Sequence, residues 1–115
     1  MIQSIKHALR GIVFTFRTER NFRIQIAVAL AAVAAGIYFY ISAVEWMFLS
    51  SAIFRVLSYE SINTSVENLS EVCEKKRDID IKNIKDTSAA YVLLSAIYAL
   101  TIGGIIFVPK LLQLG

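Results

Sequence analysis

Residues 24–44 read IQIAVALAAVAAGIYFYISAV, 21 consecutive positions without an Asp, Glu, Lys, Arg or His. Residues 87–109, TSAAYVLLSAIYALTIGGIIFVP, do the same over 23 positions. A helix rises about 1.5 Å per residue, and about 20 apolar residues cross a hydrocarbon core of roughly 30 Å, so each run is expected to be a transmembrane helix. A third apolar run opens at Trp46 and continues through MFLSSAIF, interrupted by Arg55, Glu60 and Glu67. Trp46 to Tyr59 would reach only about 21 Å, too short to cross, so a span is expected over about 46–70 with Glu60 inside or at the edge of the bilayer. The competing reading ends this span near Tyr59 and makes the following segment a solvated helix. Spacing alone does not separate the two.

The rest of the composition agrees with lipid as the solvent. The chain has 115 residues, enough for a single domain over 1–115, and 57% of them are hydrophobic. Charged residues are 18%, against about 25% in an ordinary soluble domain, and mean hydropathy is +0.60. A soluble enzyme and a disordered chain are both excluded on these values. One cysteine, Cys73, and one histidine, His7, leave neither an internal disulfide nor a Cys/His zinc site.

The basic residues are sorted along the chain. Lys6, Arg10, Arg17, Arg20 and Arg23 precede the first apolar run, and Lys75, Lys76, Arg77, Lys82 and Lys85 lie between the second and third, while only Lys110 follows. The positive-inside rule then predicts a membrane protein with its N-terminus and the 71–86 loop in the cytoplasm and its C-terminus outside. The net charge of +3 is thereby explained by topology rather than by nucleic acid. The small residues Ala34-Ala35-Gly36 resemble a signal-peptide cleavage site, but the long charged flank and the full-length apolar run argue for a retained span.

Two polar patterns stand out. Ile2, Ile5, Leu9, Ile12 and Phe16 recur at spacings of three and four, predicting an amphipathic helix over about 2–18 that lies in the headgroup layer, with Lys6, Arg10 and Arg17 off the apolar stripe. Glu60, Asn63 and Glu67 fall at i, i+3 and i+7, with Thr64 and Glu71 extending the same face. Ionisable groups at membrane depth cost about 2.5–3.5 kcal/mol on translocon scales, so such a face marks a site or a buried interior. It calls for a counter-charge, either a metal ion or nearby Lys and Arg.

At these residues the chain resembles a known family. Glu60-Ser-Ile-Asn63-Thr-Ser-Val-Glu67 is similar to the E-x-x-N-T/S-A-I/V-E signature of the small prokaryotic integral-membrane diacylglycerol kinase and undecaprenol kinase family. Glu19-Arg-Asn-Phe-Arg23, Lys85-Asp86 followed by Ser88-Ala89-Ala90, and Ile105-Ile-Phe-Val-Pro109 resemble three further family segments in the same order. The resemblance covers nearly the whole chain. It implies an all-α membrane protein, a surface helix plus three transmembrane helices assembled as a homotrimer. The implied activity is transfer of the γ-phosphate of ATP to a lipid hydroxyl with Mg²⁺. Glu60 matches the catalytic base, and Asn63 would orient Glu60 or the nucleotide. Glu19 and Glu67 match the metal-binding carboxylates. Glu71, Lys85, Asp86 and Arg10 are the remaining candidates for nucleotide contact, and Arg23 for a structural or headgroup role. Soluble-kinase phosphate loops have no counterpart here.

Several residues have plainer readings or depart from the family pattern. Asp86 could simply cap the third spanning helix. Tyr38, Tyr40 and Trp46 read as interfacial belt aromatics. Gln25 stands where many members carry Glu or His, Arg55 where the position is usually apolar, and the segment from Cys73 to Asp80 lacks the usual histidine. Glu45-Trp46 and the Phe-Val-Pro ending favour the branch that uses undecaprenol, with diacylglycerol as the alternative substrate. A small oligomeric transporter is the reading from another class, but such exporters typically have four spans with an acid in the first.

Overall fold

The computed structural model describes residues 1–73 and 78–114, and over them the chain is helical: α1 Ile2–Thr18, α2 Arg20–Tyr38, α3 Ala43–Cys73 and α4 Asp78–Leu114. The Lys75–Arg77 part of the basic cluster, and the missing-histidine segment around it, fall largely outside the described residues. α2, α3 and α4 run alternately up and down. α3 packs along α4 over most of its length, α2 lies against α3, and α1 touches the near ends of α2 and α3.

α2 and residues 80–114 of α4 are each long and apolar enough to cross a membrane. α3 is the longest stretch between them, but with Glu45, Arg55 and Glu60 in its first eighteen residues it does not reach the same hydropathy. Three equivalent spans are therefore reduced to two on composition. What the structure does show is an apolar exterior. Among the described residues the buried apolar ones are Phe22, Ile41, Leu49, Ala52 and Ile106, while large hydrophobics such as Val28, Leu30, Phe54, Leu93 and Leu100 face outward. The stripe Ile2, Ile5, Leu9, Ile12 and Phe16 is likewise exposed, so no protein core of this chain covers it.

The helix ends differ from the uncharged runs because local hydrogen bonds, not hydropathy, set them. α1 and α2 are separated by one residue, Glu19, in an extended conformation (φ −113°, ψ 111°). Arg23 bridges this break by donating Nη1 to the carbonyls of Phe16 (2.7 Å) and Arg17 (3.1 Å), which otherwise lack helical partners. α2 stops at Tyr38, short of Val44, in a Schellman turn: Tyr40 takes the left-handed conformation (φ 52°), and the N–H groups of Tyr40 and Ile41 donate to Ile37 (3.3 Å) and Gly36 (3.2 Å). α3 then opens with a capping box. Ser42 Oγ accepts the Glu45 N–H at 3.1 Å and Glu45 Oε1 accepts the Ser42 N–H at 2.9 Å.

α4 begins at Asp78, well before Thr87, so Asp86 is not its N-cap; a helical residue already past the first two turns has no orphan N–H to receive. Asp86 instead accepts from Lys82 Nζ one turn earlier at 2.8 Å. The helix also continues past Pro109, beyond the expected boundary of the span. Pro109 supplies no N–H to the Ile105 carbonyl, and the next residue, Lys110, reaches with Nζ to Ile106 O (3.2 Å) and Glu45 Oε2 (2.9 Å).

One expected belt aromatic has a second role. Trp46 is half-buried beside Gly36, where a Cβ would stand 2.8 Å from the indole Cη2. Tyr38 and Tyr40 are exposed, as belt residues would be.

Candidate active site

α3 and α4 are joined by a ladder of polar and aromatic contacts. Glu45 meets Lys110, Ser51 Oγ lies 3.0 Å from Tyr98 Oη, the Arg55 guanidinium carbon sits 4.8 Å from the centroid of the Tyr98 ring, and the Tyr59 and Tyr91 rings meet edge-on at 6.0 Å. This answers what Arg55 does in an apolar stretch: its charge is taken by the face of an aromatic ring on the neighbouring helix. The same antiparallel pairing, continued past Tyr59 and Tyr91, leads toward Asn63 on α3 and Ser88 on α4.

At that level the bundle interior turns polar. Glu60 is 3% exposed, Asn63 8% and Thr64 3%, with Thr15 of α1 and Ser88 of α4 also buried. The i, i+3, i+4 spacing on α3 puts Glu60, Asn63 and Thr64 on one inward face. The competing solvated-helix reading of this segment is thereby excluded for these three residues. Glu60 Oε1 accepts a hydrogen bond from Gln25 Nε2 of α2 at 3.1 Å. Gln25 Oε1, Asn63 Oδ1, Thr64 Oγ1 and Ser88 Oγ are all buried without a partner among the described residues. A buried polar atom left unpaired costs about 1–3 kcal/mol, so four of them on α2, α3 and α4 point to something other than stability.

The acidic candidates ring this cluster. Glu19, at the α1–α2 break, and Glu67, two turns along α3 from Glu60, are half-buried, and both charges act on the Glu60 carboxylate. No group of three His, Cys, Asp or Glu side chains among the described residues forms a complete metal cage. Mg²⁺ is ordinarily held by one or two carboxylates together with substrate phosphates and water. Two carboxylates whose charges reach Glu60, with the unpaired Asn63 Oδ1, are hard-oxygen donors of the kind an ion arriving with a nucleotide would take.

The remaining candidates lie outside the buried cluster. Arg10, Glu71, Lys85 and Asp86 are exposed. Asp86 and Lys82 form an ion pair, and the carboxylate beside it raises the Lys82 ammonium above its ordinary range. Arg23 is engaged with the end of α1, which selects its structural role. Gln25 is the site residue that sequence reasoning left without a role. The available signal was its position, since it is the one side chain with an amide or charge in residues 24–44.

A family model described as prokaryotic diacylglycerol kinase matches residues 6–107. Undecaprenol kinase of Bacillus subtilis (strain 168) is 38% identical over 109 residues, covering 95% of this chain and 89% of that protein. Diacylglycerol kinase of Synechocystis sp. (strain ATCC 27184 / PCC 6803 / Kazusa) is 30% identical over 115 residues, covering 99% of this chain and 66% of that protein.

Proposed function

This chain belongs to the prokaryotic diacylglycerol kinase family and is a lipid kinase; from that premise we propose that it transfers the γ-phosphate of ATP to undecaprenol, yielding undecaprenyl phosphate. The observation that carries the choice of lipid is the 38% identity to an undecaprenol kinase, spread over 95% of the chain. The second reading, phosphorylation of diacylglycerol to phosphatidic acid, draws on the 30% identity to a diacylglycerol kinase. Both lipids present one hydroxyl at the same interface and differ in the tail. Family membership removes the transporter reading.

Phosphoryl transfer needs in-line positioning and neutralisation of phosphate charge more than covalent chemistry. Glu60 is the general base that takes the proton of the lipid hydroxyl, and its burial beside Gln25 supports that role because a base must be held in one orientation at the reacting oxygen. Asn63, one turn on, offers an unpaired Oδ1 to the same space. Glu19 and Glu67 would hold Mg²⁺. When bound, Mg²⁺ would supply charge neutralisation at the phosphates. Lys85 and Arg10 would contact the nucleotide phosphates, and Glu71 and Asp86 the rest of the nucleotide.

In this reading α3 is a third span, because Lys110–Glu45 pairing at one end and the polar cluster at the other match its length to that of α4. The N-terminus and the 71–86 loop face the cytoplasm, the C-terminus faces outward, and α1 lies in the cytoplasmic headgroup layer with its exposed apolar stripe toward lipid. The assembly is a homotrimer.

The test is transfer from labelled ATP in mixed micelles with Mg²⁺, with undecaprenol and diacylglycerol offered separately. Undecaprenol is the better substrate on this proposal, and Glu60→Gln lowers the rate by about 10²- to 10⁴-fold, the usual worth of a general base. Faster turnover of diacylglycerol would overturn the lipid assignment; unchanged turnover in Glu60→Gln would overturn the base.

A further inference from the structure

A groove of about 610 Å³ runs between α2, α3 and α4. Its walls include Val28 and Ala35 of α2, Ala52 and Val56 of α3, and Gly103 and Phe107 of α4. Among its lining residues every side chain is apolar except one, Gln25. From Gln25 the groove follows α2 as far as Ala35, about 15 Å at the helical rise, or about half the hydrocarbon thickness. The volume is in the range of sites that bury small molecules, roughly 300–1,000 Å³.

The single polar wall residue is also the one that holds Glu60. A carboxylate only accepts, so the Gln25 amide must turn Nε2 toward Glu60. That orientation leaves Oε1 buried and without a partner. A long apolar trough ending at an unsatisfied acceptor beside a base is the complement of an alcohol carrying a long apolar tail. A bare hydrocarbon would leave the acceptor unpaired, and a charged lipid would bury its charge against apolar walls.

We propose that Gln25 is the positioning residue for the lipid acceptor: Nε2 fixes the Glu60 carboxylate, Oε1 receives the hydroxyl hydrogen of a long-tailed alcohol, and the groove holds the headward part of its tail. The proposal rests on the kinase reading and adds to it the seat of the acceptor. As transfer proceeds, the hydroxyl turns its hydrogen from Gln25 Oε1 to the neighbouring Glu60 carboxylate, the alcohol O–H bond breaks and its proton passes to Glu60. The alcohol oxygen bonds to the γ-phosphorus while the bond from that phosphorus to the bridging oxygen breaks, releasing ADP.

Two variants of the full chain test it. Gln25→Met keeps the length of the side chain and removes both polar atoms. Gly103→Leu adds bulk to the groove wall at a position where a Cβ meets nothing within 4 Å, so the backbone accepts it. The probes are undecaprenol, its methyl ether, and a short isoprenoid alcohol, with equilibrium binding measured without ATP and turnover measured with it. In Gln25→Met, undecaprenol binding and kcat/KM fall about 10- to 100-fold, the scale expected when a hydroxyl loses its buried partner, while KM for ATP is unchanged. The preference for the alcohol over its methyl ether disappears. Gly103→Leu weakens the long alcohol and spares the short one.

A folded Gln25→Met protein that still prefers the alcohol over the ether overturns the proposal. So does a Gly103→Leu protein that changes its oligomeric size without changing its dependence on tail length, since the groove would then seat a second copy of the chain. Alcohol-selective binding by the parent protein without phosphate transfer would defeat the kinase reading alone.

Discussion

Glu45 and Lys110, 65 positions apart, form an ion pair at 2.9 Å that fastens the start of α3 to the end of α4. The same carboxylate closes the capping box with Ser42 through its other oxygen. The Ser42 N–H chiefly, and Lys110 after it, hold the Glu45 carboxyl below the ordinary carboxylate range. A depressed folded-state value stabilises the fold above the unfolded value, about pH 4.3, and that contribution is lost as pH falls through the folded value. The stability difference between the parent protein and Glu45→Gln is therefore expected to stay flat at neutral pH and to shrink only below about pH 4.3. Thermal melts of both proteins across that range in detergent would measure it, and a difference that shrinks near neutrality would contradict the assignment.

Tyr40 is a non-glycine residue at the left-handed position of a helix-ending turn, and 91% of its surface is exposed. Left-handed backbone costs an L residue about 1–2 kcal/mol, which glycine avoids. Tyr40→Gly is expected to stabilise the α2–α3 turn by about 1 kcal/mol. A lower melting temperature would mean that the ring contributes more at the membrane interface than the backbone loses.

Gly36 makes room for Trp46, and a methyl group there would stand 2.8 Å from the indole. Overpacking of this kind costs about 1–3 kcal/mol, so Gly36→Ala is expected to destabilise the far end of the bundle. Trp46 is the only tryptophan in the chain. Its emission therefore reports the displacement directly, and an unchanged spectrum with unchanged stability would show that the indole swings aside freely.

Glu19→Gln and Glu67→Gln each remove one of the two carboxylates proposed to hold Mg²⁺. Each is expected to raise the Mg²⁺ concentration for half-maximal turnover by about 10-fold, the effect of losing one charged interaction of roughly 1.4 kcal/mol. A fall in rate that added Mg²⁺ does not restore would assign the residue another task.

Much of this arrangement is local enough to read from the chain. The uncharged runs announce α2 and α4, and the Glu60, Asn63, Glu67 spacing announces one helical face, because both signals repeat within a few turns. The pairings between helices are not local. Gln25 with Glu60, Arg55 with Tyr98 and Trp46 with Gly36 depend on how antiparallel helices register against one another, and no periodicity in a single helix encodes that. The ends of α2 and α4 escaped for a related reason. A charge-free run measures hydropathy, whereas α2 stops at a Schellman turn and α4 starts in a charged segment.

Among the described residues, five apolar side chains are buried within one copy of this chain. Helices in lipid keep their backbone hydrogen bonds whether or not they touch their neighbours. Loss of tertiary structure should therefore be a parting of intact rods rather than a melting to coil. Far-ultraviolet dichroism would register little of it, and the event that ends catalysis would be the separation of Gln25 from Glu60 while both helices persist.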